Sequence, residues 1–216
     1  MYEVSVYNES NKFYNPTLRS PNTPFEQPFY QTRDTLTDVD TYSQFLKNAI
    51  RRFRSSRTYK NYKAFIMSLG MDRSQVHSNI TSDMADIEMH HNMLNIFDLA
   101  FIITEHIINT RGYITTFELV MLLKKEHREH HICLVMLDKT SHQLHHADKR
   151  FYIHPSMCFG DWLAFLNTYP YGITRDIAMK IIKYLEMADK VGDTQTQQYL
   201  NLRNQIADWS DKYDTR

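Results

Sequence analysis

The sequence is poor in the features that announce the commonest functional classes. Only two cysteines occur, Cys133 and Cys158, too few for a disulfide framework and in keeping with a reducing compartment. There is no Cys-x-x-Cys pair, which excludes zinc knuckles built on that spacing. The N-terminus has no basic-then-apolar signal region, and no apolar run reaches the length a bilayer-spanning helix needs. The expectation is a cytoplasmic protein, not secreted, with no membrane partner. Basic and acidic residues balance at 25 each, for a net charge of zero. Any surface for a polyanion must therefore come from local segregation of charge.

What is present suffices for one good core. The 216 residues are 42% hydrophobic and 23% charged, ordinary for a folded domain. Pro16, Pro21, Pro24 and Pro28 crowd the first stretch and deny it a helix. Residues 1–37 therefore read as an extended or disordered arm, whose aromatics (Tyr2, Tyr7, Phe13 and Tyr14 among them) offer a means of docking on the body or on a protein partner. Helical signals begin at Asp38 or Asp40, either of which can cap, and Phe45, Leu46, Ala49, Ile50 and Phe53 recur at helical spacing. The continuation carries Arg51, Arg52, Arg54, Arg57, Lys60 and Lys63 with no acidic residue among them and with Tyr59 and Tyr62 interleaved. Such a run suits phosphate contacts with stacking, and DNA is the expected partner; a solvated helix face is the plainer reading. Residues 38–85 form this basic helical segment, closing in a loop from Met71 to Ala85 that holds His77, read as a surface histidine.

Histidine is the compositional oddity, with ten of eleven lying between His90 and His154. Ile87-Glu88-Met89-His90-His91 reads as a short strand ending in two histidines, and Cys133-Leu134-Val135-Met136-Leu137-Asp138 as an apolar strand running into a helix with His142, His145 and His146. His142 and His146, four apart, share a helical face. Two imidazoles there and a third from the His90-His91 pair give three ligands and an open position, the pattern of a catalytic metal centre. Between the two halves, residues 95–131 read as an αα-hairpin. Its first helix carries Ile96, Leu99, Ala100, Ile103, Ile107 and Ile108 and stops at Gly112; its second is capped by Thr115 or Thr116 and turns Phe117, Val120, Met121 and Leu123 inward. His106, His127, His130 and His131 are read as structural or surface residues. Beyond the module, Phe151-Tyr152-Ile153 reads as a further strand or docking segment. Helices follow from Gly160, from Thr174 and, with a polar surface and a thin apolar stripe, from Thr194 to Asp211, the last of these suited to a partner.

This arrangement resembles the HNH, or ββα-metal, nucleases, in the form with a His-His pair followed by His-x-x-x-His. The resemblance implies His90, His142 and His146 as ligands of one divalent metal ion (Zn, Mg, Mn or Ni), His146 being selected over His145. It implies His91 as the general base that deprotonates water while the ion polarises a phosphoryl oxygen. At the position of that family's asparagine stands Cys133, and residues 92–141 make the motif longer than the compact form. The whole chain also resembles bacteriophage-encoded HNH-type proteins, which would place it in a bacterial host cell. The expected fold is α+β and mostly helical: a small ββα-metal motif over residues 86–155 with the hairpin at 95–131 inserted, and C-terminal helices over 156–216. The expected function is a DNA endonuclease. The alternatives are a phage structural or DNA-packaging accessory protein with an inactive, metal-stabilised fold of this kind, and a helical adaptor that merely contains clustered histidines.

Overall fold

The computed structural model describes residues 3–4, 17–20, 23–28, 30–147 and 152–191. The protein is α+β and mostly helical, with seven α-helices and three small antiparallel sheets among the described residues.

The N-terminal stretch, read as an extended or disordered arm, contributes extended strands where it is described. β1 (Glu3–Val4), β2 (Thr17–Ser20) and β3 (Thr23–Pro28) form one sheet in that order. Pro24 and Pro28 lie on β3, an edge strand of this sheet, where proline is tolerated. β4 (Tyr30–Thr32) pairs with β6 (Tyr113–Thr115) far along the chain. Arg33 then grips Glu105 through two 2.9 Å hydrogen bonds, tying this stretch to the helical body.

Asp38 caps α1 (Val39–Ser55) by accepting from the Thr41 amide, and Phe45, Leu46, Ala49, Ile50 and Phe53 are the buried stripe. A break at Ser56 starts α2 (Arg57–Ser68), which buries Tyr62 and Ile66 and leaves Phe65 and Leu69 exposed. β5 (Ile87–His91) follows the 71–85 loop. Asn95 and Asp98 make a capping box for α3 (Ile96–Arg111), and Gly112, at φ 93°, ends it. β6 is the turn of the hairpin, and Thr115 caps α4 (Thr116–Arg128). The inward face of α4 departs from expectation. Leu119, Val120 and Leu123 are buried while Phe117 and Met121 are 66% and 62% exposed. The buried stripe runs on into Glu126 and His127, so apolarity alone misjudged the phase of the helix.

β7 (Leu134–Asp138) returns antiparallel to β5, and α5 (Lys139–Ala147) leaves directly from its end. No strand forms at Tyr152–Ile153, Phe151 lying outside the described residues; Ile153 is buried, and Phe159 instead makes a single bridge with Leu134. Asp161 caps α6 (Trp162–Thr168), and α7 (Arg175–Val191) buries Ile177, Ala178, Ile181, Leu185 and Ala188. The segment Thr194 to Asp211 lies outside the described residues. One apolar core gathers side chains from Leu36 to Leu185, and Val135, Leu137 and Ile153 form a second, small cluster on the other face of β7.

Candidate metal centre

The β5–β7 ladder fixes where each histidine points. Ile87 pairs with Asp138, Met89 with Met136, His90 with Val135 and His91 with Leu134, without a bulge. Alternation along the strand sends Ile87, Met89 and His91 toward the main core and Glu88 and His90 toward α5. Asp138 sets the phase of that helix. Its carboxylate accepts from the Ser141 amide at 2.9 Å and hydroxyl at 2.7 Å, and from the Ser74 hydroxyl at 2.8 Å. His77, read as a surface residue, also contacts it, at 3.2 Å. Burial works to raise the Asp138 carboxyl, but these hydrogen bonds outweigh it and hold the group below the usual carboxylate range.

So phased, α5 presents three imidazoles to His90. Ring centroids lie 4.9 Å (His142), 4.7 Å (His145) and 5.2 Å (His146) from that of His90. One ring nitrogen from each of His90, His142 and His146 falls within 4.8 Å of the others, and the Nε2 atoms of His142 and His146 are 3.1 Å apart. Nitrogens each about 2.0 Å from a tetrahedral ion stand roughly 3.3 Å apart, a spacing the His142–His146 pair already meets. Glu88, which sequence reasoning left out of the site, pairs with His142 Nδ1. That contact places a proton on Nδ1 and turns the Nε2 lone pair toward the shared centre, the carboxylate–histidine arrangement of metal sites. Period-two alternation with His90 was the signal that could have found Glu88. Burial, then the neighbouring His145, His142 and His146, push His90 down to about 3. It is therefore neutral, the form that binds a metal.

His91 stands apart from this group. It is buried against the core, with its Nε2 2.8 Å from Nε2 of His127. His127 Nδ1 donates to the Leu123 carbonyl at 2.7 Å, so its Nε2 is the acceptor and His91 Nε2–H the donor. Burial, and for His91 also the His127 ring, push both below the ordinary histidine range, His127 to about 4. Strand alternation alone separates the two adjacent histidines. His91 therefore leaves β5 on the face opposite to the candidate metal centre.

The basic run divides likewise. Arg51, Arg52, Arg54, Arg57 and Lys60 are exposed, and among the described residues none pairs with a carboxylate. Lys63 is half-buried and donates to the Ile87 carbonyl at 2.9 Å, strapping α2 to β5. Tyr59 and Tyr62 turn inward onto Phe53 and His127 instead of forming stacking platforms. With Phe65 and His130 they line a cavity of about 350 Å³ between α2 and α4.

A family model described as bacteriophage G278-like virion protein matches residues 3–212. The chain belongs to that family. No curated protein and no solved structure matches it. The family is one of virion proteins and not of HNH endonucleases, so the nuclease resemblance, and with it the hydrolase reading and the general-base role of His91, is corrected. The strand-and-histidine pattern misled because two strands and a helix with histidines four apart describe local geometry, which many folds can host. The bacteriophage origin does agree with the family.

Proposed function

We propose that this protein is a structural component of the phage particle, with a metal held by His90, His142 and His146 as a staple between β5 and α5. The observation that carries the structural role is the virion-protein family match across residues 3–212. What supports the staple is the convergence of three ring nitrogens within 4.8 Å, with Glu88 behind one of them. Imidazole donors favour a zinc-class transition ion over magnesium, which takes oxygen ligands. The ion's work would be to fasten a short two-stranded sheet to the helix that follows it.

Mass spectrometry of gradient-purified particles tests the structural role, with the protein expected at stoichiometric copy number. Its absence from particles would end this reading. Metal content of untagged protein, wild type against His142→Ala, tests the staple separately; about one equivalent should fall to none.

The exposed cations of α1 and α2 support a second, compatible role, contact with the packaged genome. Salt-dependent DNA binding that weakens when Arg51, Arg54 and Arg57 are replaced by Glu would support it. Equal binding by both proteins would remove it.

A further inference from the structure

The only two cysteines of the chain meet in space. The antiparallel bridge between Leu134 and Phe159 is closed by two backbone hydrogen bonds, of 2.9 and 2.7 Å. Cys133 and Cys158 each precede a bridge partner, so both side chains leave the bridge on the face opposite to Leu134 and Phe159. There one residue touches both cysteines, and the Asn92 amide donates to the Cys133 carbonyl at 3.0 Å. Asn92 Nδ2 donates to Cys158 Sγ at 3.0 Å, and Asn92 is itself anchored by the Ile153 carbonyl and the Tyr184 hydroxyl. Cys133 is buried, whereas Cys158 is only partly buried.

The two sulfurs are not equivalent. The neighbouring Cys158, and burial after it, raise the Cys133 thiol. Cys158 is lowered by Cys133, then by Asn92 and Tyr184, against a burial that works the other way. The more accessible sulfur, which accepts from Asn92 and as a thiol reaches the His154 carbonyl at 3.8 Å, beside a fully buried thiol is the arrangement of an attacking cysteine and its resolving partner.

We propose that Cys133 and Cys158 form a redox-active dithiol, a modification site whose co-substrate is a small disulfide oxidant of the glutathione-disulfide class. The Cys158 thiolate attacks one sulfur of the oxidant, whose S–S bond breaks and releases one thiolate. The mixed disulfide on Cys158 is then attacked by Cys133, which loses its proton to solvent as the second small thiolate leaves. The protein loses two electrons and two protons, and the oxidant becomes two thiols. The ring so closed runs from Cys133 to Cys158 and contains β7 and α5, hence His142 and His146. A particle assembled in a reducing cell and released to an oxidising exterior would pass through this change once. That timing rests on the proposed virion role; the chemistry does not.

The test uses the reduced full chain in glutathione buffers of rising oxidised fraction, acid-quenched, alkylated and read by intact mass and peptide mapping. Wild type should form an intramolecular Cys133–Cys158 disulfide with no glutathione retained, and melt at higher temperature than its reduced form. Cys133→Ser, or Cys133→Ala if the serine destabilises the fold, should accumulate glutathione on Cys158. Cys158→Ser should keep Cys133 unmodified over the same time. Two free thiols in the most oxidising buffer, a disulfide formed only between chains, or equal modification of both single variants would each overturn the proposal.

Discussion

His90 and His91 are chain neighbours that live in different surroundings, one among other imidazoles under α5 and one in the core against His127. Both, with His127, are held neutral. Their folded pKa values lie below the ordinary value near 6.5, so the unfolded chain takes up their protons first. The stability they contribute is full above pH 6.5 and is lost as pH falls toward 4. For His127 alone the loss amounts to about 3 kcal/mol. Denaturant melts of chelator-treated protein should show falling stability from pH 7 to 5, with a shallower slope in His127→Gln. An unchanged slope would mean that the ring pair is not the titrating element. Gly160 is a second residue with little freedom. It sits at φ 105°, and an added Cβ would press on the carbonyl oxygens of Ile132 and His130. Gly160→Ala should cost about 2 kcal/mol or more in equilibrium unfolding.

Among the elements, the helices were the most legible in sequence. Asp38, Asn95 and Thr115 are caps at or beside the positions where the pattern begins, and the apolar stripe of α1 is buried as read. What stayed hidden was polar burial. Glu126 is fully enclosed, its carboxylate held by His131 at 2.7 Å just past the end of α4 and by Tyr169 at 2.7 Å, a partner 43 residues away that a linear reading cannot see. The candidate site was legible through its histidine spacing on α5, but not through the pairing at β5, where adjacency in sequence disguised opposite faces. Two predictions belong at this scale. Glu88→Gln should weaken zinc binding by about 10–100-fold while leaving the fold intact, measured by competition with a chromophoric chelator. Arg33→Ala should cost about 2 kcal/mol or more, because it leaves the Glu105 carboxylate, whose side chain is 10% exposed, with Tyr42 as its remaining partner at 2.6 Å.

At the scale of the whole molecule, residues from either side of positions 37, 85 and 155 meet in one core. Leu36, Phe53, Ile103 and Ile181 share a single core, and β4 reaches across all of α1, α2 and α3 to find β6. The expected N-terminal arm is thus partly structural, which residues 30–32 could not reveal because a strand of three residues carries no usable period. The proposed virion role is a property at this scale as well. Particles made without the gene product should show an altered structural-protein profile, whereas their DNA should be cut no differently from wild type.

The β4–β6 pairing has a consequence in time. β4 leaves the ribosome early and cannot pair until Tyr113–Thr115 has been made. At roughly 5–20 residues per second, Tyr30-Gln31-Thr32 waits for several seconds with its hydrogen-bonding edge bare. Shortness and a polar middle residue are what keep a waiting strand from joining a stranger. Nascent chains of this protein therefore spend that interval protected by brevity and by the polar Gln31, and lengthening β4 with apolar residues should lower soluble yield before it changes the melting temperature of the protein that does fold.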